Sequence, residues 1–358
     1  MTQHPVLASS PRLARLVGFA AVVLLALAGT HSLGAQKAAS GSYHITARYT
    51  VGGDGGWDYV TVDTVRARIF VTRGDRVMVI DQATGKLLAE IPGMNRAHGV
   101  ALDYSTNHGF ATSGGDGTVI MFDLGTLAVL KRTKAAIDDD AVLYDPVSKR
   151  VFTMNGDAGS ASVIDPTSGQ RVGSIDLGGK PEFGVSDHAG KLYINIEDKG
   201  EVVEVDPAAM KVTRRWSIAP CEEPSGLAID VAHRRLFSVC GNKQMAVSDI
   251  AAGKLLTTLP IGAGVDGAAF DPASGNAFAS NGEGTVTVVH EDSPDKFHVV
   301  STVPTMAGAR TIAVDPRTHR VYTVGAKFGP MPAAAAGSTG RRRPPMIPGS
   351  FTLVVLEP

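Results

Sequence analysis

The chain has 358 residues and a formal net charge of −1, with 44% apolar, 19% charged and only 6% aromatic residues. This near-neutral balance argues against general binding to phosphate backbones, which calls for a strongly basic domain. The 41 glycines and the short apolar runs favour an all-β protein with many turns.

The N-terminal segment has the layout of a secretory signal peptide. Two arginines precede an apolar run from Val17 to Ala28 that is short for a bilayer span, and Leu33-Gly34-Ala35 offers a peptidase site. We predict that residues 1–35 are removed and that residues 36–358 form one mature domain. The protein would then be periplasmic or secreted, with no membrane span after cleavage. An uncleaved anchor is the alternative.

Seven segments repeat one pattern, in which a small apolar strand, an aspartate, a turn and a second strand follow one another. Their anchor aspartates recur every 40 to 44 residues, at Asp63, Asp103, Asp145, Asp187, Asp230, Asp271 and Asp315. In six repeats a third strand ends 18 to 20 residues later, at Asp81, Asp123, Asp165, Asp206, Asp249 and His290. An aspartate at a strand end accepts hydrogen bonds from the backbone N–H groups that follow it, so we assign these aspartates to turns and not to catalysis.

Four short strands in each unit of 40 to 50 residues predict an all-β, seven-bladed β-propeller with four-stranded blades. The blades should start near residues 57, 97, 139, 181, 224, 265 and 309. The seventh repeat stops at Pro358 without a fourth strand, whereas an unmatched strand at about 43–51 precedes the first repeat. We predict that this N-terminal strand completes the last blade and closes the ring, which removes the exposed sheet edges.

The repeat letters follow the form YVT-D, R-FVT, V-VID and TG, as in Tyr59 to Thr72 and Val77 to Gly85. In this pattern the sequence resembles the YncE-like, YVTN-repeat propellers over roughly residues 43–358. WD40 propellers fit poorly, because no unit closes on a Trp-Asp pair. The resemblance implies a seven-bladed ring and an association with DNA binding, but the acidic rim described next argues against nucleic acid as a partner.

One rim of the predicted ring is acidic. Five residues before each anchor, where the first strand begins at the channel mouth, stand Asp58, His98, Asp140, Glu182, Ser225, Asp266 and Arg310. The connections between second and third strands reach the same face and add Asn242 and Glu283. Crowded carboxylates have to be protonated, paired or neutralised by a cation. We predict a ligand site at this mouth; a hydrated mouth without a fixed ligand is the alternative.

The sequence favours a non-enzymatic binding or scaffold protein, because it lacks the G-x-S-x-G, H-E-x-x-H and C-x-x-C motifs. We expect a monomer that binds a small molecule or a protein at the channel mouth and has no obligatory cofactor. The second hypothesis is a metal-dependent hydrolase with the logic of propeller lactonases. In it, Glu182, Asp266, Asp140 and His98 would hold Ca²⁺ or another divalent ion.

The two cysteines belong to the same predicted blade. Cys221 lies in the loop before its first strand and Cys240 ends its second strand, on one face of the ring. An exported protein with two cysteines favours a disulfide between them. Two free buried thiols are the alternative.

The seventh repeat carries about 20 extra residues between Lys327 and Ser350, rich in Ala, Pro and Gly, with the basic run Arg341-Arg342-Arg343. Such a segment buries too little apolar surface to order itself, so we predict a disordered loop over residues 327–350. An idle tract, a lid over the mouth and a partner-binding arm are all compatible with this composition.

Overall fold

A computed structural model describes residues 42–331 and 344–358 of the chain. The predicted signal peptide and the run Arg341 to Arg343 lie outside these residues. The described part contains 28 β-strands and one 3-10 helix, Glu197–Lys199. In that part, no helix combines the length and the apolar character that a bilayer crossing demands.

The strands form seven antiparallel sheets of four, which are the blades of a β-propeller. Blade 1 comprises β2 (Val60–Asp63), β3 (Arg68–Arg73), β4 (Arg76–Asp81) and β5 (Leu87–Pro92). Blade 2 comprises β6 (Ala97–Asp103), β7 (His108–Ser113), β8 (Thr118–Asp123) and β9 (Val129–Lys134). Blade 3 comprises β10 (Asp139–Asp145), β11 (Arg150–Asn155), β12 (Ser160–Ile164) and β13 (Arg171–Asp176).

The remaining blades have the same strand order. Blade 4 comprises β14 (Pro181–Ser186), β15 (Leu192–Ile196), β16 (Glu201–Asp206) and β17 (Lys211–Ser217). Blade 5 comprises β18 (Pro224–Asp230), β19 (Arg235–Cys240), β20 (Gln244–Asp249) and β21 (Lys254–Pro260). Blade 6 comprises β22 (Val265–Asp271), β23 (Asn276–Asn281), β24 (Thr285–Ser293) and β25 (Lys296–Pro304). Blade 7 comprises β26 (Ile312–Asp315), β27 (Arg320–Gly325), β28 (Thr352–Glu357) and β1 (His44–Thr50).

The innermost strands line a central channel. Each contacts the innermost strand of both neighbouring blades, from β2 around the ring and back to β2. Apolar clusters fill the space between successive blades, as where the rings of Phe70 in blade 1 and Phe122 in blade 2 lie 5.8 Å apart. The core is therefore a ring of blade-to-blade contacts around the channel.

The anchor aspartates fix turns, as predicted. Asp63 Oδ1 accepts hydrogen bonds from the backbone N–H groups of Val65 at 3.1 Å and Arg66 at 3.0 Å. The same role is taken in the other blades by Asp103, Asp145, Asp187, Asp230, Asp271 and Asp315. Each innermost strand thus ends in the same turn, on the face opposite the channel mouth.

The N-terminal strand closes the ring, which confirms the prediction from the unmatched strand. β1 pairs with β28 in antiparallel register, with Arg48 opposite Val354 and Thr50 opposite Thr352. Tyr43 is buried just before it, with its ring centroid 4.8 Å from that of Phe278 in blade 6. Blade 7 is therefore built from the two ends of the described chain.

A buried arginine holds the glycine-rich linker between the closing strand and blade 1. The guanidinium of Arg73 lies 3.8 Å from the ring centroid of Phe351. It donates hydrogen bonds to the carbonyls of Gly52, Gly53, Gly55 and Gly56 at 3.0 to 3.3 Å. These acceptors compensate the buried charge, and the positive φ of Gly52, Gly53 and Gly55 suits residues without a side chain.

The two ends of the long loop of blade 7 pair with each other, and the middle of the predicted disordered segment, residues 332–343, lies outside the described residues. Gly329 N donates to Pro345 O and Ile347 N to Lys327 O, each at 2.8 Å. The ring of Phe328 packs 6.0 Å from that of Trp57. Antiparallel pairing and an aromatic contact supply the order that composition alone did not indicate.

Candidate functional site at the channel mouth

Five of the predicted mouth residues form one connected cluster. His98 Nδ1 lies 2.5 Å from Asp58 Oδ2, where the imidazole N–H donates to the carboxylate, and 3.3 Å from Asp140 Oδ1. Arg310 Nε donates to Asp266 Oδ2 at 2.5 Å and its Nη2 to Asp58 Oδ1 at 3.2 Å. Side chains from blades 1, 2, 3, 6 and 7 thus converge at one end of the channel.

Glu182 of blade 4 faces the same cluster and has its own cation. Lys180 Nζ lies 2.9 Å from Glu182 Oε1 and also pairs with Glu197. Burial is the main cause that raises the pKa of Glu182 to about 8, and the charge of Asp140 adds to it. The ammonium of Lys180 opposes this shift but is shared between two carboxylates, so Glu182 is only partly compensated.

Buried polar side chains hold the mouth backbone in place. On the second strands, Thr72 Oγ1 donates to the carbonyl of His98 at 2.6 Å and Thr112 Oγ1 to that of Asp140 at 2.5 Å. Thr311 Oγ1 donates to the carbonyl of Asp58 at 2.7 Å. Each of these bonds runs from one blade to the next. The positions of the mouth side chains are therefore set by the rigid frame and not by loops alone.

Two aromatic rings span the channel directly beneath the carboxylates. Tyr59 of blade 1 and Phe183 of blade 4 have ring centroids 5.2 Å apart, although their blades are not neighbours. Both line a cavity of about 40 Å³ inside the innermost strands. Such a cavity has room for a few water molecules at most, so these rings act as a floor under the mouth.

The electrostatic environment favours protonation or a bound cation. Burial raises the pKa of Asp140 to about 7; His98 opposes that shift, whereas the charges of Asp58 and Asp266 add to it. The pKa of Asp266 is also raised, chiefly by burial, in spite of Arg310. For His98, burial opposes the positive charge, but Asp58 and Asp140 outweigh it and raise the imidazole pKa. The acids at the mouth therefore hold protons near neutral pH and can ionise fully only when a further cation is bound.

Asp139, next to the cluster, is the most buried of these acids. Its side chain is inaccessible to solvent, and the backbone of Ser113 is the neighbouring donor that opposes its protonation. Burial raises its pKa to about 8. This group is therefore expected to carry a proton at neutral pH unless a cation comes close.

Three other predicted residues lie outside the cluster. Ser225 occupies the equivalent position in blade 5, but its hydroxyl has no hydrogen-bond partner in the described chain. The side chain of Asn242 donates to Pro220 O at 2.7 Å and so braces an outer loop. Glu283 is exposed and accepts a hydrogen bond from Thr285 at 3.1 Å. The structure gives no contact between these side chains and the carboxylates of the cluster.

The predicted metal set is also grouped differently. The side chains whose ligand atoms all lie within 4.8 Å of one another are Asp58, His98 and Asp140. Asp266 is bound by Arg310, and Glu182 by Lys180. The candidate metal ligands in the structure are therefore Asp58, His98 and Asp140. Asp58 joins the predicted set, and Glu182 and Asp266 drop out of it.

The floor residues Tyr59 and Phe183 are absent from the sequence-based site, although a signal for them exists. Each directly follows a mouth position, and the other blades have small residues there: Gly99, Ala141, Gly226, Gly267 and Thr311. A Cβ at Gly226 would lie 2.6 Å from the backbone of Ala268, so the close approach of neighbouring strands requires glycine. Against this background, two aromatic residues at one register position indicate a blocked channel.

The cysteines are joined on this face of blade 5. Cys221 and Cys240 form a disulfide with an S–S distance of 2.00 Å, and both are buried. The bond ties the loop before β18 to the end of β19. It therefore fixes the loop that precedes Ser225 at the rim of the mouth.

Comparison with known proteins supports the fold and does not assign a family. No family model matches the chain, and no curated protein matches it. Among solved structures, a chain of "Kuenenia stuttgartiensis Hydrazine Synthase" is similar with a TM-score of 0.66 and 16% identity. The match covers 76% of this chain and 94% of that chain. At this identity the likeness shows the β-propeller fold alone.

Proposed function

We propose that this chain is an exported ligand-binding propeller that takes a small cationic ligand at its channel mouth, above Tyr59 and Phe183. The observation that carries the proposal is the convergence of the carboxyl groups of Asp140, Glu182 and Asp266 at one end of the channel, where burial and mutual repulsion raise their pKa. A positively charged ligand would replace the protons that these groups otherwise hold.

The charges at the mouth support a ligand cation over an anion. The mouth has six carboxyl groups and three permanent positive charges, supplied respectively by Asp58, Asp138, Asp139, Asp140, Glu182 and Asp266 and by Arg96, Lys180 and Arg310. His98 adds a fourth positive charge when it is protonated. An organic ammonium group suits a site that combines acids with the aromatic floor, because carboxylates and aromatic rings both attract it.

The repeat pattern still resembles YncE-like propellers, and their association with DNA suggests an alternative ligand. The cluster of carboxylates at the mouth disfavours DNA as a ligand, because it repels a phosphate backbone. We therefore place nucleic acid behind a small cation among the ligands of this face. A protein partner with a basic side chain would satisfy the same chemistry.

The proposal is tested by calorimetric titration of the purified chain with spermidine as the probe. We expect binding that weakens with added salt and strengthens between pH 6 and pH 9, as Asp140 and Glu182 lose their protons. The variant Asp140→Asn should lose about tenfold or more in affinity, since one charge-assisted contact disappears.

The matched control is Asp157→Asn, which removes an exposed aspartate on the β11–β12 connection of the same blade. This variant should bind spermidine like the parent chain. Equal losses in both variants would mean that only the overall charge matters. No binding at low salt and pH 9 would remove the proposal.

A metal-dependent hydrolase is the second candidate, favoured by one observation. Ligand atoms of Asp58, His98 and Asp140 lie close enough together to hold a divalent ion such as Ca²⁺. A bound ion could polarise a carbonyl or activate water. Calorimetry with CaCl₂ and ZnCl₂ tests this candidate: it requires a binding event that His98→Ala abolishes, and an unchanged titration curve in that variant excludes it.

A further inference from the structure

A second histidine–carboxylate cluster lies on the opposite face of the ring, between blades 5 and 6. Asp230 ends β18, His233 stands in the turn that follows, and Glu291 belongs to β24 of the next blade. His233 Nδ1 lies 2.6 Å from Asp230 Oδ2 and 3.1 Å from Glu291 Oε1. One ligand atom from each of the three residues falls within 4.8 Å of the others.

Blade 1 provides an internal comparison for Glu291. The residue equivalent to Glu291, directly after the end marker of the third strand, is Gln82. Gln82 Nε2 donates to the anchor carboxylate of the preceding blade, Asp315 Oδ2, at 2.7 Å. Where Gln82 offers a hydrogen-bond donor to this anchor, Glu291 offers a carboxylate to Asp230. Two carboxylates in this arrangement need a cation or a shared proton between them.

The turn that follows the anchor aspartate of blade 5 also has a metal-binding residue type in place of a simple hydrogen-bond donor. Three residues after their anchors, Thr106 and Ser274 donate side-chain hydrogen bonds to Asp103 and Asp271, each at 2.6 Å. The equivalent residue in blade 5 is His233. Both side chains that face Asp230 are therefore types that bind metals, in the positions where Gln82, Thr106 and Ser274 donate hydrogen bonds.

The two carboxylates of the cluster are buried, whereas the imidazole of His233 between them is half exposed. Glu291 is 6% exposed and Asp230 3% exposed. In the described part of the chain, the polar side chains near the Glu291 carboxylate are the imidazole of His233, 3.1 Å from Oε1, and the carboxylate of Asp230, and neither makes a well-aligned hydrogen bond to it. The nearby guanidinium of Arg235 is engaged elsewhere, with Pro294 O at 2.6 Å and Asp295 at 3.1 Å. Two buried carboxylates that share one half-exposed imidazole leave room for a further cation.

We propose that Asp230, His233 and Glu291 bind a divalent transition-metal ion that clamps blade 5 to blade 6. One imidazole nitrogen and two carboxylates form a donor set that suits Zn²⁺ better than Ca²⁺, which prefers oxygen ligands alone. Asp230 Oδ1 accepts the backbone N–H of Ala232 at 2.9 Å, which leaves Oδ2 for the metal. His233 is half exposed, so water can complete the coordination.

The test is thermal unfolding of the chelator-stripped chain with and without ZnCl₂. We expect Zn²⁺ at saturating concentration to raise the melting temperature by about 5 °C, because it binds the folded ring and not the unfolded chain. His233→Ala and Glu291→Gln should each lose this rise. Glu291→Gln should also fold at least as stably as the metal-free parent, since it recreates the pair formed by Gln82 and Asp315.

Two controls separate this site from the mouth and from surface histidines. His298→Ala removes an exposed histidine of blade 6 that pairs with Asp292 at 2.9 Å, and it should keep the full rise. His98→Ala reports on zinc bound at the mouth, and the part of the rise that Glu291→Gln removes should persist in it. Anomalous X-ray scattering from a zinc-soaked crystal should place the ion between blades 5 and 6. A parent chain without the rise, a rise that survives in Glu291→Gln, or zinc located elsewhere would overturn the proposal.

Discussion

The two faces of the propeller each carry a cluster of histidine and carboxylate side chains, but the charges of the two clusters are balanced differently. At the mouth, His98 donates to Asp58, and Arg310 links Asp58 to Asp266. On the opposite face, the lower cluster (Asp230, His233 and Glu291) has no arginine or lysine that is dedicated to it, and one half-exposed imidazole faces both of its buried carboxylates. The negative charge of the mouth cluster is only partly balanced by its own cations, and such a cluster suits a ligand that binds reversibly. A buried pair of carboxylates with a single imidazole as its dedicated cation suits a resident metal ion.

The largest expected effect comes from removing the frame that both clusters share. Deletion of residues 43–52 takes away β1, leaves β28 as an exposed edge and reopens the ring. We expect the free energy of unfolding to fall by about 5 kcal/mol or more, enough to unfold many domains. Chemical denaturation measures this change. An unchanged denaturation midpoint would show that ring closure contributes nothing.

A second change weakens the frame on one side only. The disulfide between Cys221 and Cys240 belongs to blade 5, which supplies Asp230 and His233 to the lower cluster and only Ser225 to the mouth. Replacing both cysteines with serine should cost about 3 kcal/mol, the value expected for a closed loop of roughly 20 residues. Denaturation with and without reductant checks this. Binding of spermidine at the mouth should survive the loss.

A third change breaks the compensation that distinguishes the mouth. Arg310→Leu leaves Asp58 and Asp266 without their shared guanidinium. Removing one partner from a buried ion pair costs about 3 to 5 kcal/mol, but the Arg310 side chain is 40% exposed, so we expect about 2 kcal/mol. Arg310→Lys keeps the positive charge but loses the planar arrangement of donors. Its free energy of unfolding should lie between that of the parent and that of Arg310→Leu. Equal stability of all three proteins would contradict the role given to Arg310.

The smallest expected effect is a change in the pH dependence of stability. The pKa of Glu182 is raised from its ordinary 4.5 to about 8, so its protonated form stabilises the fold, and that contribution is lost as the pH rises from about 4.5 through 8. Glu182→Gln mimics the protonated form. The variant should match the parent near pH 4 and exceed it at pH 9 by on the order of 1 kcal/mol.

The control for this pH experiment is Glu283→Gln, which removes an exposed acid on the same face. Its stability should follow that of the parent at every pH. Unfolding midpoints across the pH range give the comparison. A constant difference between Glu182→Gln and the parent, independent of pH, would mean that Glu182 is not buried against other acids.

The sequence predicted the fold and the ring of mouth positions for one reason: the repeat. Residues at one register position of seven like blades must lie around one axis, so Asp58, His98, Asp140, Asp266 and Arg310 could be grouped before any coordinates existed. The repeat says nothing about how far a side chain reaches. Tyr59 and Phe183 meet across the channel because their rings are long, and only the structure shows that meeting.

The lower cluster could not be found in the same way. Its residues occupy three different positions of the repeat, and Asp230 had already been assigned to a turn, a role that it does fill. The contact with Glu291 depends on how neighbouring blades pack, which no single repeat encodes. A signal was present, because the equivalents of Glu291 in blades 1 to 5 are Gln82, Leu124, Pro166, Pro207 and Ile250. Glu291 is thus an acid at a position where blades 1 to 5 have none, and the packing of blade 6 against blade 5 brings it to His233.

The most direct test of the central claim, a cation site at the mouth, is a high-resolution crystal structure of the chain soaked with spermidine at pH 9. We predict density for an ammonium group within hydrogen-bonding distance of Asp140 and Glu182, above the ring of Tyr59. A mouth that holds only water, or spermidine bound at another face, would contradict the account.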